Sequence, residues 1–289
     1  MSLSSTLPRY AVIGHPVAHS RSPRIHALFA AATGQALTYE RLPAPLDGFA
    51  RTVREFHDAG GLGLSVTVPF KLECLELAAS ASERAHSAGA ANTLAWRDGA
   101  WFADNTDGAG LLNDFARHVG IDDRGRDVLV LGAGGAARGI LGPLIAQGPR
   151  RLVIANRTPE KAAALAQLFA GRAGRGTVVS TLPFAALGGQ RFDIVINSTS
   201  ASLGGAASGD AMHLPPALFA PGALAYDLTY GPASAAFLGW AAREGAARCA
   251  DGLGMLVEQA ALQFKLWRGV LPATDPVLAQ LRAEIGAGQ

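Results

Sequence analysis

The distribution of apolar and polar positions predicts short strands that alternate with helices along almost the whole chain. Runs rich in Val, Ile and Leu recur between segments with the 3.6-residue period of amphipathic helices. The first part of the chain has predicted strands at 10–13, 37–41, 63–68 and 91–96, and predicted helices at 23–32, 46–59 and 72–78. Alternation of this kind favours parallel sheets covered by helices, and so an α/β fold.

A second α/β series follows the helical pattern GAGLLNDFARHVG at 108–120. Its predicted strands lie at 127–131, 152–155, 178–180, 194–197, 224–227 and 248–250. Two helices are predicted to close the chain, one in MLVEQAALQFKLWRG and one after the turn at 272–275, and the Ala/Gly-rich patches at 170–176 and 201–209 are predicted to be surface loops. The length of 289 residues suits two domains with a junction near residue 107.

The bulk composition points to a small-molecule partner. The net charge is only +2 and no basic run is present, so neither nucleic acid nor a membrane surface is indicated as a partner. The chain has two cysteines, without metal-ligand spacing, which predicts no metal site and suits a reducing cytoplasm. The start MSLSSTLPRYAVIG lacks the pattern of a signal peptide.

The stretch VLVLGAGGAARGIL has the context of a dinucleotide-binding turn. A strand comes first, then Gly132-x-Gly134-x-x-Ala137, then helix-forming residues. Glycine permits the tight turn and lets the backbone approach a pyrophosphate, and the N-terminus of the following helix offers free N–H groups. A purely structural turn between strand and helix is the alternative.

The end of the next strand favours NADP over NAD. An NAD site usually places Asp or Glu about 20 residues after the glycines to bind the ribose hydroxyls. Here the strand ends in NRTPEK, with Asn156, Arg157, Thr158 and Lys161 and no acid at its tip. A guanidinium at this point suits a 2′-phosphate. Thr158 could also serve only as a helix cap before Pro159.

Four polar patches of the first series resemble a binding site for a polar ring. They are HSRSP at 19–23, Thr67 with Lys71, Asn92 with Thr93, and DNTD at 104–107. Ligands of open α/β sheets bind beyond the carboxyl ends of strands, where three of these patches lie. Each patch also has a structural interpretation: Ser22 and Asp107, for example, could cap helices.

With a nicotinamide cofactor, Lys71 and Asp107 acquire a chemical role. Reduction of a ketone by hydride leaves an alkoxide that must be protonated, and a lysine ammonium beside a carboxylate can supply that proton. The reverse reaction needs the lysine neutral, so alkaline pH should favour it.

The motifs YAVIGHPVAHSRSP, SVTVPFK, ANTL, DNTDG, GAGGAAR, NRT and ADGLGMLVEQA resemble, in order and spacing, those of NADP-dependent shikimate dehydrogenases. The resemblance implies two domains with the active site in the cleft between them. Residues 1–107 would form the substrate-binding α/β domain with a mixed, mainly parallel sheet, completed by 255–289. Residues 108–254 would form a Rossmann-type NADP-binding domain. The reaction would be the reduction of 3-dehydroshikimate to shikimate on the route to chorismate and aromatic amino acids.

The resemblance also implies a role for individual residues of this chain. Lys71 would be the catalytic acid and base, with Asp107 as its partner. The substrate would be held by Ser20, Ser22, Thr67, Asn92, Asp107, Tyr230 and Gln259. NADP(H) would be held by Glu83, Gly132, Ala133, Gly134, Gly135, Ala136, Asn156, Arg157, Thr158, Lys161, Leu228 and Gly252. A cytoplasmic homodimer or monomer is expected.

The chain departs from the family pattern at a few positions. Ser65 and His15 each stand where Asn is common, and Ala235 with Ala236 replace a common Thr-Pro pair. Ser65 is the departure expected to affect the placement of Thr67 and Lys71. Two alternatives stay open: a quinate/shikimate dehydrogenase, often with NAD, and a non-catalytic NADP-binding sensor.

Overall fold

The computed structural model describes residues 7–171, 176–199 and 212–287. The chain divides into two compact units. Unit 1 holds the residues up to Gly110 together with those from Val257 onward, and unit 2 holds Leu111–Leu256. The chain therefore enters unit 2 inside the helix Asp107–Asp114 and returns to unit 1 inside the helix Leu253–Arg268. The predicted junctions after residues 107 and 254 lie slightly before these two points.

Unit 1 is built on a mixed sheet of six strands. The strands are β1 Arg9–Gly14, β2 Thr38–Pro43, β3 Gly61–Val66, β4 Ser80–Ala81, β5 Thr93–Arg97 and β6 Ala100–Asp104. Their order is β2-β1-β3-β5-β6-β4, with β5 antiparallel to both of its neighbours and the other pairs parallel. The central strand β1 is buried along almost its whole length because helices cover both faces of the sheet.

Among the residues that the structure describes, seven α-helices lie wholly or partly in unit 1. They are α1 Ser22–Thr33, α2 Phe49–Asp58, α3 Lys71–Leu77, α4 Glu83–Ala88, α5 Asp107–Asp114, α9 Leu253–Arg268 and α10 Asp275–Gly286. Alternate residues of β1 point to opposite faces. Ala11 and Ile13 pack with Phe49 and Val53 of α2, and Tyr10 stacks on Trp267 of α9 at 5.0 Å between ring centroids.

Unit 2 is built on a parallel sheet of six strands. The strands are β7 Asp127–Leu131, β8 Arg151–Ala155, β9 Val178–Leu182, β10 Phe192–Asn197, β11 Phe219–Asp227 and β12 Arg248–Asp251. Their order is β12-β11-β10-β7-β8-β9, the doubly wound arrangement in which the strand order reverses between β7 and β10. Its helices are α6 Gly135–Gln147, α7 Pro159–Ala170 and α8 Ala235–Arg243, with a π-helical turn at Phe115–Val119.

The run DVLVL explains why the strands of unit 2 are apolar throughout. Val128 and Val130 face one hydrophobic cluster, and Leu129 and Leu131 face another on the opposite side of the sheet. A strand buried on both faces has no polar side, so its sequence is a continuous apolar run. None of the helices that the structure describes combines the length and the apolar character needed to cross a membrane.

The predicted elements are present, with some differences in their bounds. β3 ends at Val66, so Thr67 lies just beyond the strand, and the helix predicted from residue 46 begins at Phe49. The helix predicted over 108–120 is regular only to Asp114 and then widens into the π-helical turn. Among the described elements that were not predicted are β4, α4, β6 and α8. Of the predicted surface loops, residues 172–175 and 201–209 lie outside the described residues.

Candidate active site

One edge of the unit 1 sheet gathers the polar residues that the sequence singled out. Thr93, the first residue of β5, pairs with Ser65 near the end of β3 on one side. On its other side it pairs with Asp104 at the end of β6. Because β5 runs antiparallel, its start and the ends of β3 and β6 meet at the same edge. Asn92, which precedes β5, is thereby brought beside Asp107.

Lys71 and Asp107 form a largely buried ion pair at this edge. The Lys71 Nζ lies 2.6 Å from Asp107 Oδ2, and the side chains are 11% and 7% exposed. The Lys71 carbonyl accepts a hydrogen bond from the Ala91 N–H at 2.8 Å, which fixes the start of α3 to the segment before β5. The other carboxylate oxygen, Asp107 Oδ1, accepts a hydrogen bond from Asn92 Nδ2 at 2.8 Å. Asp107 is thus held from two sides.

Asn92 makes several hydrogen bonds with its side chain. Its Oδ1 accepts hydrogen bonds from the Thr106 N–H at 2.9 Å and from the Thr93 hydroxyl at 2.7 Å. Its Nδ2 also lies 3.2 Å from Gln259 Oε1. Gln259, on α9, comes close because Gly110 has no side chain: a Cβ there would lie 2.6 Å from the Gln259 Cβ. Asn92, Asp107 and Gln259 are therefore brought together in one cluster.

The two predicted carboxylate-binding serines lie between β1 and α1. Their hydroxyl oxygens are 3.2 Å apart, and the Ser22 N–H donates to the Ser20 hydroxyl. The interpretation of Ser22 as a helix cap is wrong, because the helix already begins at Ser22 and the cap position is Arg21. Arg41 of β2 donates two hydrogen bonds to the Ser20 carbonyl, at 2.6 and 2.9 Å. This guanidinium fixes the loop that carries both serines.

Thr67 lies in the turn after β3, beside the end of β1. Its N–H donates to the Ile13 carbonyl at 3.0 Å. Its methyl group packs over Gly14, where an added Cβ would lie only 2.4 Å from Thr67 Cγ2. A glycine at the end of β1 therefore leaves room for Thr67, and the side chain is partly buried at the sheet edge.

Within the described part of the chain, the Ser65 hydroxyl hydrogen-bonds to Tyr39 and Gln263 and to neither Thr67 nor Lys71, and its expected effect on the placement of those two residues stays a prediction. Its hydroxyl accepts a hydrogen bond from Tyr39 Oη at 2.6 Å and donates one to Gln263 Oε1 at 2.6 Å. Gln263, on α9, is 1% exposed. The sequence analysis missed Tyr39 and Gln263, and their distance along the chain from Ser65 offered no local signal.

Asp104 is a second buried carboxylate, which the sequence analysis placed in the polar patch at 104–107 without giving it a role of its own. It is 2% exposed and accepts two hydrogen bonds from Arg84 of α4, at 2.5 and 2.6 Å, and one from the Ser82 hydroxyl at 2.5 Å. Burial alone would raise the pKa of Asp104, but the hydrogen bonds from Arg84 and Ser82 outweigh it, and the net pKa is lowered. Asp104 also accepts the Asn105 N–H at 2.7 Å and so shapes the turn that leads to Asp107.

In unit 2, the glycine loop follows β7 as predicted. Gly132 has φ +106°, a conformation that L side chains rarely adopt, and a Cβ there would lie 2.7 Å from Ser198 Oγ. Gly134 occupies the N-cap position of α6, which begins at Gly135. The open space around Gly134, where an added Cβ would meet nothing within 4 Å, leaves room for a phosphate near the helix N-terminus. Ala133 and Ala136 complete the loop.

Asn156, Arg157, Thr158 and Lys161 lie at the carboxyl end of β8, the strand next to β7. Asn156 Nδ2 donates to the Thr158 carbonyl at 2.9 Å and so fixes the turn into α7. Thr158 is at the N-cap position of α7, but its hydroxyl makes no capping hydrogen bond among the described residues. Arg157 and Lys161 are exposed. Two cations beside the glycine loop suit a phosphate on the adenosine ribose.

Leu228 and Gly252 meet at the carboxyl ends of β11 and β12. A Cβ on Gly252 would lie 2.4 Å from the Leu228 carbonyl oxygen, so only glycine fits there. Tyr230 follows in the same loop and belongs to unit 2, whereas the other predicted substrate ligands belong to unit 1. Glu83 is the exposed first residue of α4 in unit 1, whereas the other predicted cofactor residues belong to unit 2.

The residues gathered here fit NADP(H) better than a metal. The glycine loop offers a backbone approach that side chains would block, and the cations of the neighbouring strand end lie on the surface. Within the described ranges, no group of three or more His, Cys, Asp or Glu side chains is arranged to hold a metal ion.

Family models match three segments of the chain. The shikimate dehydrogenase substrate binding domain matches residues 12–94, shikimate / quinate 5-dehydrogenase matches 115–215, and the shikimate 5′-dehydrogenase C-terminal domain matches 252–282. Together these matches extend over both units.

Relatives and solved structures agree with these models. The shikimate dehydrogenase (NADP(+)) of Dechloromonas aromatica is 53% identical, with 96% of this chain and 98% of the relative covered. The enzyme of the same name from Bordetella petrii is 54% identical, with 99% of each covered. The shikimate 5-dehydrogenase of Thermus thermophilus, solved with NADP(H) and shikimate, is 34% identical with a TM-score of 0.83 and covers 96% of this chain and 99% of that one. The chain belongs to the shikimate dehydrogenase family.

Proposed function

We propose that this chain is an NADP-dependent shikimate dehydrogenase that interconverts 3-dehydroshikimate and shikimate. The observation that carries the proposal is the largely buried pair of Lys71 and Asp107, 2.6 Å apart, with Asn92 on the second carboxylate oxygen. A protein that only sensed the cofactor would not need this arrangement in unit 1. Relatives about half identical over nearly the full chain carry the same activity in their names.

The substrate ligands divide by chemistry. Ser20 and Ser22 are proposed to donate hydrogen bonds to the substrate carboxylate, with Tyr230 as a third donor. Thr67, Asn92, Asp107 and Gln259 are proposed to bind the ring hydroxyls, which can both donate and accept. The tight polar contacts among Asn92, Asp107 and Gln259 support this, because they hold the side chains in defined positions before a ligand arrives.

The catalytic proton is assigned to Lys71. When bound, NADPH supplies the hydride that reduces the carbonyl carbon of 3-dehydroshikimate. Lys71 Nζ donates a proton to the carbonyl oxygen, which becomes the new hydroxyl, and in the reverse direction the neutral amine takes that proton back. Asp107 holds the ammonium in place through the 2.6 Å contact and can accept a hydrogen bond from a neighbouring ring hydroxyl.

The cofactor is proposed to be NADP(H) rather than NAD(H). Gly132, Ala133, Gly134, Gly135 and Ala136 would hold the pyrophosphate against the N-terminus of α6. The adenosine 2′-phosphate would contact the strand-end residues Asn156, Arg157, Thr158 and Lys161. Leu228 and Gly252 would lie near the nicotinamide, and Glu83 would be a further cofactor contact.

The cellular setting is proposed to be the cytoplasm, with the chain acting as a homodimer or a monomer. Both cysteines, Cys74 and Cys249, are free, which suits a reducing compartment. Sedimentation velocity on the purified chain, at several concentrations, measures the assembly state directly.

The test is a matrix of two substrates and two cofactors. The formation of NADPH or NADH is followed by absorbance with shikimate or quinate as the alcohol, and kcat/KM is measured for each pair. The pair of shikimate and NADP should have the highest value. A preference for quinate with NAD would instead assign the chain to the quinate/shikimate dehydrogenases. Tight NADPH binding without turnover of either alcohol would identify a non-catalytic sensor.

A further inference from the structure

Two buried side chains that the proposed mechanism does not use lie behind Asn92. They are Thr93 and Gln263, which are 0% and 1% exposed. Gln263 Nε2 donates to the Thr93 hydroxyl at 3.0 Å and to the Asn92 carbonyl at 3.2 Å. The Thr93 hydroxyl in turn donates to Asn92 Oδ1 at 2.7 Å. The side chain of Asn92 is therefore connected to α9 through Thr93.

The direction of the hydrogen bonds in this path is fixed by the Asn92 carbonyl, which can only accept. Gln263 must therefore turn its NH₂ group toward this carbonyl and the neighbouring Thr93 hydroxyl, which leaves its Oε1 to accept the proton of Ser65. The Tyr39 hydroxyl donates to Ser65, whose own proton goes to Gln263 Oε1. The Thr93 oxygen then accepts a hydrogen bond from Gln263, and its proton points to Asn92.

The hydrogen bond from Thr93 acts together with the Thr106 N–H to set which way the Asn92 amide faces. Its Oδ1 accepts hydrogen bonds from Thr93 and from the Thr106 N–H, so its Nδ2 is left to face Asp107 Oδ1 at 2.8 Å. With the amide reversed, an oxygen would face the carboxylate oxygen, and two acceptors in contact repel each other. The carboxylate that holds Lys71 would then lose one of its two positioning contacts.

We propose that Thr93 and Gln263 are positioning residues for the reaction: they fix the orientation of the Asn92 amide and, through it, the carboxylate that aligns Lys71. The inference rests on the proposed function, because it assigns Lys71 and Asp107 to the chemistry. It adds two residues, neither of which contacts the ion pair directly, to those on which turnover depends.

The test uses a nearly isosteric pair of variants. Thr93→Val removes the hydroxyl and keeps the volume, whereas Thr93→Ser keeps the hydroxyl. Loss of one directing hydrogen bond should lower kcat for shikimate oxidation about tenfold in Thr93→Val, with KM for NADP unchanged. Thr93→Ser should restore kcat to within about twofold of the unmodified protein. The melting temperature of each variant, measured alongside, reports the structural contribution.

A second comparison tests whether Thr93 acts through Asn92. In an Asn92→Ala background, Thr93→Val should cause no further loss of kcat, because the amide that it orients is absent. Gln263→Met provides an independent variant that breaks the same path at another residue, so it should lower kcat as well and add little to Thr93→Val.

The outcomes separate the inference from the proposed function. If the unmodified protein does not oxidise shikimate, the proposed function fails. If it does, and both Thr93→Val and Gln263→Met keep kcat within twofold while only the melting temperature falls, the two residues are purely structural and the inference is overturned. Equal losses in the Asn92→Ala and unmodified backgrounds would also overturn it.

Discussion

Replacement of Lys71 by methionine tests the proposed chemistry most directly. Methionine keeps an unbranched side chain of similar length and removes only the ammonium group. General acid and base catalysis contributes about 10²–10⁴ in rate, so turnover of shikimate should fall by at least ~10², which corresponds to about 3 kcal/mol in the activation barrier. Binding of NADPH should change little, because the residues proposed to hold its phosphates belong to unit 2 whereas Lys71 belongs to unit 1.

The same substitution should also reduce stability. Asp107 is 7% exposed in the ion pair and would be left with its hydrogen bond from Asn92 but without a cation. Breaking a buried pair costs ~3–5 kcal/mol, and the remaining hydrogen bond and partial solvent access should reduce this to about 1–3 kcal/mol. Denaturant unfolding at neutral pH measures the loss.

The assay is steady-state oxidation of shikimate with saturating NADP, combined with NADPH titration by fluorescence. Lys265→Met is the matched control, since Lys265 is an exposed lysine of α9 and its replacement should leave turnover unchanged. If Lys71→Met retained turnover within fivefold of the unmodified protein while the fold remained intact, Lys71 would not be the proton donor. The role assigned to the pair would then have to be abandoned.

The remaining predictions concern the cofactor and the core. Arg157→Ala should raise KM for NADP at least tenfold and leave kcat/KM with NAD nearly unchanged, which initial rates with both cofactors will show. Gly132→Ala should weaken NADPH binding and cost ~1–3 kcal/mol, because φ is +106° and the new Cβ would lie 2.7 Å from Ser198 Oγ; Gly148→Ala, with φ +83° and open space, should cost less in the same urea titration. Burial lowers the pKa of His26 to about 3, so the unfolded chain binds a proton at His26 at a higher pH than the folded protein does, and the free energy of unfolding falls as pH drops from about 6.5 toward 3. At pH 4.5 the loss is about 3 kcal/mol, and His26→Leu should remove that part of the acid sensitivity in unfolding titrations.

The architecture of unit 2 could be predicted because its strands carry a strong local signal. DVLVL is apolar on both faces, and a glycine directly after it permits the positive φ found at Gly132. The polar residues at the carboxyl ends of strands could also be grouped from the sequence, because a parallel topology brings those ends to one edge of the sheet. The site residues in unit 1 needed more, because Asn92 and Asp107 meet only through the antiparallel strand β5.

One local signal was present and was not used. Between β5 and β6 stands the dipeptide Asp98-Gly99, with φ of 50° and 79°, which is the pair that favours a two-residue hairpin. Recognition of this turn would have predicted β6 and shown that DNTD follows a strand that pairs with the one after Asn92. By contrast, β4 has two residues and α4 has six, too few for a periodic pattern to be detected.

The hydrogen-bond partners of Ser65 could not be predicted from the sequence. Asn is common at this position in the family, and the sequence suggested that the shorter side chain would affect Thr67 and Lys71, its neighbours along the chain. In the fold its hydroxyl instead bonds to Gln263, 198 positions away, and to Tyr39, on a different strand. Gln263 can be identified only once α9 lies against the sheet of unit 1, and Tyr39 only once the order of β2, β1 and β3 in that sheet is known. The departure therefore bears on the proposed path to Asn92, and a Ser65→Ala variant should resemble a weaker form of Thr93→Val in kcat, because it removes the hydrogen bond that Gln263 Oε1 accepts.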